Sequence, residues 1–392
     1  MDTLIELYDE RPMENVLATD MFQPKRTVYI CEKELADDKN IQRKLREYFR
    51  YRGIDTEPVF FFAKQYSTSS VLSEMKRAAS LYPDCVVDIT GGTDHELFAS
   101  GLLCAEKDIP AFTYSIKLNK FFNINKEPFP NGLECDIRYR VEDFFRMAGG
   151  AMRQGRVDNS ILDQYSELYE PFFKIYLNNR RGWGNVVTYI QQISRPHSEG
   201  EIPLSVRGAF IQKGVRGKQL APPVKVLREL EEIGMIRELN IVSDEKVEFT
   251  FADKQVRSWL RDVGSVLELY TYKLFCDSGL FNDVRTSVVV DWEKGFDRNG
   301  VTNEIDVMAV KDVTPIFVSC KTCAVTTEAL NELAILRDRF GGNGAVAMIV
   351  TTERGTPPMR NRAQELGIQV IELDDFLNGR TAERIRSVMR KG

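Results

Sequence analysis

Histidine is nearly missing from this 392-residue chain, which has only His95 and His197. That scarcity removes the commonest protein base and a common metal ligand from most schemes of chemistry. Cysteine is sparse and odd in number, seven in all (31, 85, 104, 135, 276, 320, 323), scattered through mostly apolar stretches. This excludes a disulfide framework and fits reduced, buried thiols. Cys320 and Cys323 form a lone C-x-x-C, and without a second cysteine pair it does not make a zinc site. No apolar run approaches 18 residues and no signal peptide opens the chain, so neither membrane spanning nor export is expected, and the expected compartment is the cytoplasm. There is no G-x-G-x-x-G and no P-loop, which argues against a dinucleotide or a triphosphate. Positive charge is not in excess: the net charge of −5 excludes nonspecific coating of nucleic acid while leaving room for a local basic groove.

What is present is the composition of an ordinary globular chain, 43% hydrophobic and 28% charged, long enough for two or three domains. The first part alternates strand-like runs (3–8, 27–31, 58–62, 85–90, 111–115) with helical stripes (41–52 and 69–81), which predicts an α/β fold with a doubly wound, Rossmann-like sheet. Ligands of such sheets bind beyond the carboxyl ends of the strands. Two loops fall there. One carries Asp9, Glu10, Arg11 and Asn15; the other is Thr90-Gly91-Gly92-Thr93-Asp94. The glycine pair lets backbone approach a ligand, and Thr93 or Asp94 can cap a helix whose first N–H groups suit phosphate or ribose oxygens. Replacing Gly92 by a bulky residue is expected to abolish ligand binding while sparing the fold. The segment 117–124, with Lys117, is expected either as a basic and aromatic edge to the same pocket or as a second hairpin packed on the sheet, and His95 reads as structural.

Further along, 151–177 reads as a helical tract and 196–218, rich in glycine and charge, as a mobile linker or loop. A helix opened by Pro222-Pro223 and followed by strands at 235–242 and 246–251 is winged-helix-like, but its exposed face mixes Lys225 and Arg228 with Glu229, Glu231 and Glu232, so a connector role is expected. The remainder reads as one helix over 259–277, a strand over 283–292, a flexible loop over 295–300, a hairpin over 303–322, and then helix, strand, helix, strand. In the hairpin, Asp306 and Lys321 fall side by side on apolar strands. Burying both charges costs solvation and asks for a reason.

Glu268 on the helix, Asp306 on the second strand and Ser319-x-Lys321 on the third resemble the PD-(D/E)xK nuclease core. With Asn303-Glu304-Ile305-Asp306-Val307, Cys320-Lys321-Thr322 and the two N-terminal loops, the chain resembles the CRISPR ancillary nucleases that join an N-terminal CARF sensor to a restriction-endonuclease-like domain. The resemblance implies a CARF domain over 1–145, a helical and winged-helix-like linker over 146–255, and a nuclease domain over 256–392. It further implies a homodimer that binds a cyclic oligoadenylate, most often the tetra-adenylate, as allosteric activator and then cuts nucleic acid in type III CRISPR antiviral defence. DNA, nicked or single-stranded, and single-stranded RNA are the expected substrates. Asp306 is expected as central ligand of Mg2+ or Mn2+, with Glu268 and the Cys320 carbonyl beside it. Lys321 is expected to orient water or stabilise charge, and Glu304 to assist metal or lysine. Ser319 stands where the family usually carries a carboxylate. Two other readings stay open, a nucleotide-sensing transcription regulator and a non-catalytic accessory protein with a degenerate nuclease domain.

Overall fold

Strands and helices alternate from the first residues onward, as the switching of apolar period predicts. The structure is a computed structural model and describes all residues except 34–38, 155–156, 196–201, 215–216, 218, 243–244, 292–301, 343 and 392. Five parallel strands, β1 (Thr3–Leu7), β2 (Arg26–Cys31), β3 (Glu57–Phe62), β4 (Cys85–Asp88) and β5 (Ala111–Ser115), lie in the order 3-2-1-4-5. Antiparallel β6 (Lys120–Asn123) and β7 (Leu133–Glu134) extend the edge beyond β5. The helices are α1 (Leu17–Phe22), α2 (Lys39–Arg52), α3 (Thr68–Leu81) and α4 (Asp94–Lys107). The strand order reverses between β1 and β4, which makes their carboxyl ends the switch point of the sheet.

After α5 (Val141–Met147) the structure departs from the expected helical tract. Gly149, at φ +77°, and Gly150 stop helix propagation, and the chain runs extended as β8 (Ala151–Gln154). Helices follow only later, as α6 (Ser166–Asn179) and α7 (Trp183–Ile193). The expected linker over 196–218 is also partly corrected. Within it β9 (Ser205–Ala209) and β10 (Gln212–Lys213) form, β10 pairing with β11 (Gln219–Leu220), while His197 lies outside the described residues. After α8 (Val224–Glu232) come the expected strands β12 (Ile236–Val242) and β13 (Lys246–Phe251), and β9 adds to β13 as a third strand. The reason is packing: Val206 of β9 is buried among the residues of the same core as Val247 and Phe249.

The single helix expected over 259–277 is two, α9 (Lys254–Leu260) and α10 (Ser265–Asp277). Asp262 Oδ1 accepts the N–H groups of Gly264 and Ser265, a local bond that ends one helix and starts the next although the apolar stripe continues. Then come β14 (Asp283–Asp291), β15 (Thr302–Lys311), β16 (Thr314–Lys321), α11 (Thr327–Phe340), β17 (Val346–Thr351), α12 (Pro357–Glu365), β18 (Ile368–Ile371), α13 (Leu373–Leu377) and α14 (Thr381–Lys391). The flexible loop expected over 295–300 lies outside the described residues. The sheet order is β18-β17-β16-β15-β14-β8, so β8 closes an edge of the C-terminal sheet. One face of this sheet is covered by the core that holds Trp183, Trp259 and Leu267. The other face shares a core with the N-terminal sheet, in which Phe145 of α5 meets Phe340 of α11 with ring centroids 5.2 Å apart.

Candidate active site

Ile305, Val307, Ala309, Ile316 and Val318 are fully buried, which anchors β15 and β16 as neighbours and fixes their register. Their ladder ends at the pair Val307 and Val318. Beyond it the Asp306 side chain takes over from the backbone: Oδ2 accepts the Cys320 N–H at 2.6 Å and the Ser319 hydroxyl at 3.1 Å, with Lys321 Nζ at 3.7 Å. On the other side the β14 ladder is interrupted at the same place. Thr286 pairs with Val307 and Val288 with Ile305, while Ser287, opposite Asp306, sits at φ +54°. A left-handed conformation at a serine costs on the order of 1–3 kcal/mol, strain that functional sites often carry. The Thr286 hydroxyl meanwhile donates to the Asp306 carbonyl at 2.7 Å. Burial pushes the Asp306 carboxyl up; Lys321, the Cys320 N–H and Ser319 pull it back, and Glu304 adds to the rise.

A cavity of about 140 Å3 opens here, lined among others by Glu304, Asp306, Ser319, Lys321 and Glu332. Glu304 Oε1 accepts the Ser287 hydroxyl at 2.5 Å. Glu332, on α11, is the residue sequence reasoning missed; it is an exposed carboxylate on an amphipathic helix, an ordinary position that gives no signal in the sequence. Glu268 is not brought into this cavity. It sits on α10 with Oε1 over Gly264, where a Cβ would be 2.8 Å away, and its charge acts on the Cys320 thiol. That thiol is buried and donates to Thr271 Oγ1 at 3.6 Å. Cys320 meets Asp306 through its N–H, so toward that carboxylate it is a donor.

Among the described residues no group of three or more His, Cys, Asp or Glu stands ready to hold a metal ion. The donor set nonetheless fits a hard cation of the magnesium class, which is typically held by one or two carboxylates, several waters and substrate phosphate instead of an all-protein cage. All three donors around Asp306 fall on Oδ2, and Asp306, Glu304 and Glu332 line the same cavity, so these are the carboxylates that would hold such an ion.

At the carboxyl ends of β1 and β4 the two expected loops do meet. Asp9 Oδ2 accepts the Gly92 N–H at 3.1 Å, and Gly91 packs so closely that a Cβ would lie 3.2 Å from the Asp9 Cβ. Arg11 is clamped by Asp9, Nε to Oδ1 at 2.8 Å and Nη2 to Oδ2 at 2.7 Å. Burial alone would raise the Asp9 carboxyl, but Arg11 and the two N–H groups hold it below its usual value. Asn15 is buried and staples its own loop, accepting the Asp9 N–H and donating to the Asp9 carbonyl. Thr90 donates both N–H and hydroxyl to Asp88 Oδ1, and Thr93 does the same to Glu96. Glu10 and Asp94 are exposed at the rim. Lys117 stands apart, beside Lys311 and Asp312 at the turn between β15 and β16. His95 is exposed, bonded to Thr68.

Two carboxyls beneath these loops went unnoticed in the sequence, although each interrupts an apolar strand. Glu6 and Asp88 are fully buried on adjacent strands, and burial pushes Asp88 up to about 7 and Glu6 well above its usual range. The Gly92 expectation is also corrected. At φ +98° a Cβ would stand 2.7 Å from Leu7 Cδ1, so a bulky residue there disturbs the core under the loop as well as any ligand.

Residues 254–390 match the family model described as the Card1-like endonuclease domain. Two solved structures share the fold along almost the whole chain. Protein VC1899 from Vibrio cholerae is 18% identical over 99% of this chain and 98% of its own, with a TM-score of 0.77. Can2 from Sulfobacillus thermosulfidooxidans, solved in complex with cyclic tetra-adenylate, is 14% identical over 99% and 97%, with a TM-score of 0.68. No curated protein matches the chain.

Proposed function

We propose, from the premise that residues 254–390 are a Card1-like endonuclease domain, that this chain is a metal-dependent nuclease of type III CRISPR defence switched on by a cyclic oligoadenylate. The observation that carries the reading is Asp306, a half-buried carboxylate at a break in two strand ladders, with Lys321 3.7 Å away and a cavity in front. The ligand half rests on the fold shared with Can2 and on the meeting of the loops 9–15 and 90–94 at the sheet's switch point. The ligand is a cyclic oligoadenylate, with the tetra-adenylate first to try, and the working unit is a homodimer.

The reaction is hydrolysis of a phosphodiester in DNA, nicked or single-stranded, or in single-stranded RNA. Asp306 would hold the divalent ion, Mn2+ or Mg2+, with Glu304 and Glu332, which line the same cavity, as the carboxylates that would assist it, and with Glu268 as a further carboxylate outside that cavity on α10. When bound, the ion supplies Lewis acidity toward a nonbridging phosphate oxygen and lowers the pKa of water. Lys321 places a positive charge where negative charge builds on the phosphoryl oxygens. Ser319 and the Cys320 N–H orient Asp306 and stabilise its charged form. Water is the attacking group; one P–O bond forms and one breaks, and the leaving oxygen takes up a proton.

Labelled single-stranded DNA, single-stranded RNA and supercoiled plasmid are incubated with the purified protein and Mn2+, with and without cyclic tetra-adenylate. Cleavage is expected only with both, is abolished by EDTA, and drops at least 100-fold in Asp306→Ala. Silence on every substrate removes the nuclease reading, and cleavage that survives Asp306→Ala removes the site.

A further inference from the structure

A cavity of about 710 Å3 lies between the joint of α6 with α7 and the start of α8. Its lining includes Asn178, Asn179, Arg180, Arg181, Asn185 and Lys225, and none of its twelve lining residues is acidic. In a chain of net charge −5 that is a strong local reversal of sign. Asn178, Arg181, Asn185 and Lys225 are exposed. Among the described residues no carboxylate pairs with Arg180 or Arg181; the Arg180 guanidinium donates to the Leu177 carbonyl at 3.5 Å. Glu229 stands at the rim, 3.6 Å from Lys225 Nζ and 3.4 Å from the Asn179 amide.

Backbone adds to the same field. The helices α7 and α8 both begin at this cavity, and neither start is capped by a side chain. The first N–H of each is already bonded, Trp183 to the Arg180 carbonyl and Val224 to the Pro222 carbonyl at 2.9 Å, so what these starts add is the positive end of each helix dipole. The cavity also has a physical route to the catalytic strand. Tyr176 of α6, four residues and about 6 Å before Arg180, bonds through its hydroxyl to Thr352, whose N–H donates to the Lys321 carbonyl at 3.3 Å. Arg180's charge acts on that Tyr176 hydroxyl.

We infer that this groove holds the sugar-phosphate backbone of a single nucleic-acid strand, gripping the substrate away from the bond that is cut through Arg181, Lys225, Arg180 and the two helix starts. The proposal rests on the nuclease reading and deepens it. Cations, side-chain amides and positive helix ends recognise phosphate without reading bases, so the grip is sequence-independent and salt-sensitive. The volume accommodates a short stretch of one flexible strand and is too small for a duplex.

The test uses the full chain carrying Asp306→Asn, so that substrate is bound and not cut, with cyclic tetra-adenylate present. Affinity for a labelled single-stranded 20-mer and for its duplex is measured between roughly 50 and 200 mM salt. Adding Arg181→Glu with Lys225→Glu is expected to weaken single-strand binding at least tenfold. The log–log salt slope becomes shallower by about 1.4, two phosphate contacts at about 0.7 each. In the chain with Asp306 intact, the same pair raises KM and leaves kcat unchanged, while Arg181→Lys with Lys225→Arg keeps both. If melting shows the charge-reversed protein unfolded, Arg181→Gln with Lys225→Gln gives the same readings in smaller measure. An unchanged slope and KM in a protein that still cuts overturns the groove and spares the nuclease; so does a larger loss for duplex than for single strand. A parent that neither binds nor cuts any strand overturns both.

Discussion

Asp88 and Asp306 are both carboxyls on buried strands, and their partners divide them. Asp306 has a cation and two hydrogen-bond donors converging on one oxygen, all favouring the charged form. Asp88 has Thr90 as donor but faces the equally buried Glu6, and burial pushes it up to about 7. A carboxyl raised in the folded state holds a proton that the unfolded chain, with its ordinary value near 3.8, releases. Its contribution to stability is therefore complete below about pH 4 and is lost as pH rises toward 7. Asp88→Asn keeps an acceptor for Thr90 and stays neutral throughout. Melting curves from pH 5 to 8 should show the parent losing stability relative to this variant as pH rises; parallel curves would mean that Asp88 is ionised without cost.

Among elements, the loop over β4 depends most on a single residue. Gly92→Ala forces a left-handed backbone onto an alanine and sets its Cβ 2.7–2.8 Å from Leu7, so a loss of about 2 kcal/mol or more is expected. Urea denaturation should show a lower midpoint at unchanged slope, because the extent of unfolding stays the same. Elements with a strong local signal were legible in the sequence. The β15–β16 hairpin alternates β-branched residues around a short turn, and Asp306 and Lys321 stand out there as charges on apolar strands. Four-residue β8, Ala-Met-Arg-Gln, has no such signal, because its partner on β14 is more than a hundred residues away and supplies the reason to extend. The break at Asp262 was hidden for the opposite reason: the apolar stripe keeps its phase across it, and only a side-chain bond to two N–H groups reveals the stop. Glu268 and Glu332 are a matter of placement, since a helix's face is legible but which end of a sheet it overhangs is set by tertiary packing.

Across the whole molecule, the matched domain is not a self-sufficient unit. Residues 254–390 lack β8, so β14 would present an open edge, and they lack the residues of α5, α6 and α7 that complete the cores on both faces of the sheet. Expressed alone, this fragment is expected to aggregate or to be cut rapidly by limited proteolysis, whereas the full chain resists; a monomeric, protease-resistant fragment would show that the shared cores are dispensable. The route of β8 has one more consequence. The strand that leaves α5 is bonded to β14 from Val288 onward, directly after Ser287 at its left-handed kink and Thr286, whose hydroxyl holds the Asp306 carbonyl. A displacement of α5 would therefore run lengthwise, as shear along a hydrogen-bonded ladder, to a point one residue from Asp306.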